Sequence, residues 1–131
     1  METTRGGADE TRENWASLFA FARAGRSGHE ITRHGKPAGV LVSLDVWKKL
    51  CEVQAPQRVE PEARPGLDVV RAQGEVLDIT QWGGGHIPLT HRGRLVAYLV
   101  PPEWFWATAP LTARGPDRGQ EPGSPVRAGC T

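Results

Sequence analysis

The residues of this chain best suited to chemistry are cations crowded on one turn. Thr32-Arg33-His34-Gly35-Lys36 separates Ile31 from the small and apolar run Ala38 to Val42. An exposed turn carrying Arg33, His34 and Lys36 could neutralise phosphates, and an arginine can also read a guanine edge through two hydrogen bonds. Arg12, near the start of the preceding helical stretch, could join them. The same residue types also suit a plain solvated tip, where Lys and Arg are common, so composition alone leaves both readings open.

Other reactive residue types form no such constellation. His29, His34, His86 and His91 fall in two pairs spaced five apart, which along a strand puts the partners on opposite faces, and no carboxylate or thiol completes a ligand set. No metal site is expected. No Ser/His/Asp arrangement or paired-carboxylate motif is present, and Gly83-Gly84-Gly85 lacks the context of a phosphate-cradling loop. No catalytic residue, cofactor or enzymatic activity is expected. Trp104, Phe105 and Trp106 are consecutive and cannot all face one core, so they are candidate anchors for a protein partner. Trp47 suits core packing equally well.

With 131 residues and 38% hydrophobic composition, the chain can build one domain or two very small ones. Sixteen Lys+Arg against fifteen Asp+Glu leave a net charge of +1, so nucleic-acid affinity would have to come from local clustering. Cys51 and Cys130 belong to no CxxC motif, no apolar run approaches the ~20 residues of a membrane span, and Met1 to Glu13 lacks a signal-peptide core. A soluble cytoplasmic protein without a membrane partner is expected.

The elements that must position the turn follow from local pattern. Residues 1–8 are a frayed tail or a weak first strand. From Asp9 the chain reads as a helix with Trp15, Leu18, Phe19 and Ala22 on one stripe and Phe21 off it, ending near Gly25 and Gly28. A strand leads into the basic turn, where Gly35 is expected to take the left-handed position that closes a type I turn into a bulge. Ala38 to Val42 does not alternate, so both faces of that strand should be covered, by another hairpin from a second chain or from the same one. Ser43 is a plausible N-cap for a helix over Leu44 to Cys51. Gln54 to Gly66, with three prolines, reads as a linker. Beyond it come a short helix over Leu67 to Ala72, a strand over Glu75 to Thr80, and a break at Gly83 to Gly85.

Leu89 to Glu103 then lines up with Ile31 to Asp45 at a constant offset. Thr32/Thr90, Gly35/Gly93, Leu41/Leu99 and Val42/Val100 are identical, and Lys36/Arg94, Gly39/Ala97, Ile31/Leu89 and Asp45/Glu103 are conservative. This is the mark of an internal duplication. Arg92 and Arg94 become the matching cations of a second tip. The second copy is expected to have room for only about one helical turn where the first has its full helix, because Gln81 to Gly85 carries no stripe. Pro101-Pro102 should open a terminal helix.

Asp9 to Asn14, the helix, and Ile31-Thr32-Arg33-His34-Gly35-Lys36-Pro37-Ala38-Gly39-Val40-Leu41-Val42 closely resemble the Phd/YefM (prevent-host-death) antitoxin family, over about residues 8–52 and more weakly over 86–105. The resemblance implies an α+β fold with a small antiparallel sheet and helices, and the echo at Leu89 to Glu103 adds a tandem, pseudo-dimeric duplication as one arrangement of it. It also implies dimerisation, operator binding for autorepression of a type II toxin–antitoxin operon, and masking of a cognate toxin. It assigns DNA contact to Arg12, Arg33, His34 and Lys36, with Arg92 and Arg94 as second-copy counterparts. The organisation expected is a half-domain over residues 1–52, a linker over 53–66, a degenerate second copy over 67–108 and a disordered tail over 109–131. A homodimer is favoured over a monomeric pseudo-dimer, since the second copy is expected to lack a helix. The rival reading is an interaction module without DNA function, docking a partner through Trp104 to Trp106.

Overall fold

The computed structural model describes residues 2–25 and 27–114. It is an α+β protein with a mixed seven-stranded sheet and five helices. Strand β1 (Glu2–Gly7) leads into helices α1 (Ala8–Glu13) and α2 (Trp15–Arg23), then the hairpin β2 (Ser27–Arg33) and β3 (Lys36–Ser43), then helix α3 (Leu44–Val53). Two-residue strands β4 (Arg58–Val59) and β5 (Arg64–Pro65) follow, then a 3-10 segment (Gly66–Ala72), helix α4 (Gln73–Gln81), the hairpin β6 (Gly85–His91) and β7 (Arg94–Val100), and helix α5 (Pro102–Arg114). The strand order is β1-β2-β3-β7-β6-β4, with β5 also on β6. The sheet is not purely antiparallel as expected, because β1 runs parallel to β2 and both β4 and β5 run parallel to β6.

Helices cover both faces of this sheet. On one face Trp15, Phe19 and Ala22 of α2 and Val76 and Leu77 of α4 pack against Ile31, Leu41, Ile87, Leu89 and Leu99. On the other, Leu50 of α3 and Trp104 and Phe105 of α5 pack against Val40, Val42, Tyr98 and Val100. Strand β3 therefore contributes Leu41 to one core and Val40 and Val42 to the other, which is why its sequence is apolar without alternation. Its neighbours are β2 and β7 of the same chain, so the edge a second chain would have used is occupied.

The two hairpins share one register. In the first, His29 faces Leu41 and Arg33 faces Lys36, with a shift between Ile31 and Thr32. In the second, Ile87 faces Leu99 and His91 faces Arg94, with the shift between Leu89 and Thr90. Every pair recurs at an offset of 58, and α2 and α4 begin and end at the same offset. Across the seam Leu41 lies opposite Leu99, Val40 opposite Val100 and Val42 opposite Tyr98. Since Leu41 and Leu99 are counterparts, a local two-fold passes between them.

Several local expectations change. Both hairpins close through two residues with positive φ, His34 (55°) and Gly35 (78°), and Arg92 (54°) and Gly93 (79°). This is a type I′ turn, whose twist matches the flanking strands, and the irregularity lies within the strand pairing, at Ile31/Thr32 and Leu89/Thr90, instead of within the loop. Glu75 to Thr80 is helical, not a strand, and α4 is as long as α2, so the second half does carry its helix. Residues 2–8 form the edge strand β1 and open α1. The proline-rich run read as a linker supplies β4 and β5, and α5 runs through 109–114 of the expected tail; residues 115–131 lie outside the described residues. Among the described residues, no helix is long and apolar enough to cross a membrane.

Candidate nucleic-acid interface

The first tip projects from the β2–β3 hairpin and leans on α4. Arg33 is held there by four contacts. Its Nη2 donates to Gln81 Oε1 (2.6 Å) and Asp78 Oδ1 (2.8 Å), its Nε to Gln81 Oε1 (3.2 Å), and its Nη1 to the Gly74 carbonyl (3.3 Å). With only 20% of its side chain exposed, Arg33 fixes the tip to α4 more than it offers a free cation. His34 and Lys36 are exposed. Arg12, half exposed, donates to Gln73 Oε1 (2.9 Å) and stands 3.5 Å from Asp9. Arg12, Arg33 and His34 line one groove of about 540 Å³ with Gln73. Arg33, His34 and Lys36 line a second, of about 340 Å³, with Gln81 and Trp82. The structure thus brings together all four cationic or titratable candidates of the first half.

The second tip is separate, and leans on α2 as the first leans on α4. Arg92 and Arg94 are exposed, and among the described residues neither takes part in an ion pair. His91 stands at the position of Arg33 and packs edge-on against Phe19, ring centroids 6.1 Å apart. Partial burial, and then the guanidinium groups of Arg23 and Arg92, hold its pKa below the ordinary histidine value. Arg23 lies over the Phe19 ring at 5.3 Å and adds a third arginine to this corner. No residue pattern singled out Arg23, although the 58-residue offset makes it the counterpart of Gln81, which holds the first tip.

The aromatic candidates divide. Trp104 and Phe105 are buried in the core between α5 and the sheet, and Trp104 Nε1 donates to the Gln54 carbonyl (3.1 Å). They are not surface anchors, because successive residues about 100° apart on a helix can both reach one wide sheet face. Trp106 is 42% exposed, and its Nε1 donates to Glu30 Oε2 (2.7 Å). Glu30 itself is fully buried and takes a second bond from Arg5 Nε (2.6 Å). Trp47 stacks on Tyr98 at 3.8 Å. The most exposed indole among the described residues is Trp82, 72% exposed beside the first tip, which sequence pattern did not single out.

The chain matches no protein-family model, no curated protein and no solved structure.

Proposed function

We propose that this protein is a DNA-binding regulator of the Phd/YefM antitoxin type, fused so that one chain supplies both halves of the dimer. The observation that carries this reading is the seam. Two hairpins of identical register pair about a local two-fold at Leu41 and Leu99, and each ends in a cationic tip. At ~3.3 Å per residue along β3 and β7, the tips stand about 40 Å apart. Half-sites one DNA turn apart are separated by ~34–36 Å.

The reading is not symmetric. Lys36, His34 and Arg12 serve one half-site with Arg33 as the residue that positions the tip, and Arg23, Arg92 and Arg94 serve the other. The rival interaction module is weakened by the burial of Trp104 and Phe105. Masking of a cognate toxin rests on the resemblance alone; a neighbouring reading frame whose small ribonuclease-like product co-purifies with this chain is the observation that tests it.

DNA contact is tested by fluorescence anisotropy with a labelled duplex taken from upstream of the gene, titrated across salt. The log-log slope should be steep, Lys36→Ala should lower it by about 0.9, and Arg92→Ala/Arg94→Ala by about 1.8. Absence of binding near ~50 mM salt, or slopes that the substitutions leave untouched, would remove the DNA reading.

A further inference from the structure

Beyond Trp82, on the side away from the turn, lies a larger cleft of about 730 Å³ between the end of α3, the α4–β6 connection and the start of α5. Gln54, Gln57, Gln81, Trp82, His86 and Trp104 line it, and Glu103 is the one charged residue in the lining. His86 at its wall is neutral, since burial pushes its pKa down to about 4. The cleft therefore offers no cation to an anion. It offers the primary amides of Gln54 and Gln57, each with a donor and an acceptor in one plane, the amide NH2 of Gln81, whose oxygen is taken by Arg33, and indole rings.

Two features point to a ligand. His86 is 1% exposed, and its Nδ1 accepts from Trp47 Nε1 (3.0 Å), so the ring proton belongs on Nε2. That Nε2 is the one buried side-chain polar atom among the described residues with no hydrogen-bond partner. A buried unpaired donor is costly, and an entering acceptor would relieve it. The second feature is Trp82, a large apolar ring left 72% exposed at the rim.

We propose that this cleft takes an unpaired nucleobase, stacked on Trp82 and hydrogen-bonded by the glutamines and His86, with its phosphate on the Arg33–Lys36 tip. The two sites are continuous, since Gln81 and Trp82 line both the cleft and the tip groove. A planar, uncharged ring with acceptors matches the lining, and the anionic part of the same nucleotide falls where the cations are. The phosphate half of this inference rests on the reading of the tip given above. The base could come from a free nucleotide or from an unpaired position in a strand.

Calorimetric titration of the full chain with AMP, CMP, adenosine, ribose 5-phosphate, a ten-nucleotide single-stranded DNA and its abasic counterpart tests this. Base-bearing ligands should bind and their base-free counterparts should not. Trp82→Ala should weaken the base-bearing ligands about tenfold or more, the range of one lost base–aromatic stack. Gln57→Ala, which lines the cleft and not the tip groove, should weaken them too while leaving duplex DNA affinity unchanged. Lys36→Ala should weaken AMP and spare adenosine. Binding of AMP and CMP identifies a free nucleotide as sufficient, and binding of the oligomer alone identifies an unpaired base in a strand. Equal affinity for the abasic and base-bearing oligomers, an unaltered affinity in folded Trp82→Ala, or no binding by any base-bearing ligand would overturn the proposal. Duplex binding without base binding removes only this cleft. Base binding without duplex binding removes the regulator reading and keeps the cleft.

Discussion

Acid should destabilise this protein through His86, by an amount the structure sets. The imidazole is buried, accepts from Trp47 Nε1 and has its pKa lowered to about 4 from 6.5 by burial. The unfolded chain takes up a proton near pH 6.5, whereas the folded protein resists it until about pH 4, so the stability His86 confers is complete above 6.5 and is lost as pH falls toward 4. A shift of that size at ~1.4 kcal/mol per unit amounts to about 3 kcal/mol, of which about 2 is lost by pH 5. Burial lowers His29 in the same direction, so the test must be a difference. His86→Asn keeps an acceptor for Trp47 and removes the titration. Urea unfolding followed by tryptophan fluorescence, at pH 7 and pH 5, should show the wild type losing about 2 kcal/mol more than the variant. Parallel losses in the two proteins would refute a buried neutral His86.

Two further substitutions probe contacts of long sequence separation. Trp106→Phe removes one of the two donors to the buried Glu30 carboxylate and should cost about 1.5–3 kcal/mol in urea unfolding, the range for a bond to a charged group; a cost near zero would mean water replaces the indole. Gly66→Ala would set a Cβ 2.1 Å from the Phe19 ring, which is fully buried, so thermal unfolding should show a loss of about 1–3 kcal/mol or more.

What the sequence made legible is what local physics decides. The unbroken apolar run of β3 announced a strand covered on both faces, and the capping serine announced α3, where Ser43 Oγ accepts from the Val46 amide at 3.1 Å. The echo at Leu89 to Glu103 announced the partner hairpin. Helix α4 was hidden because two of its four buried stripe positions are polar. Gln73 donates to the Ala8 carbonyl and accepts from Arg12, and Thr80 donates to the Ala38 carbonyl at 2.6 Å, bonds that exist only once distant elements meet. Gly39 fits the same contact, since a Cβ there would come within 3.0 Å of Thr80 Oγ1. Strands β4 and β5 have two residues each, too few for any period to register. Of the candidate site, the tip cations could be read from residue type and spacing. That Arg33 would be tied down by Asp78 and Gln81, that Arg23 would join the other tip, and that Trp82 would stay in solvent are consequences of helices packing across the two-fold.

The central claim is that one chain presents both DNA-contacting tips. Sedimentation of the protein alone and with its upstream duplex, over a wide concentration range, tests this most directly. The account predicts a single free species at the 14.3 kDa chain mass throughout, and one chain per bound site. Mass-dependent association into a dimer of chains, or two chains on each site, would contradict it.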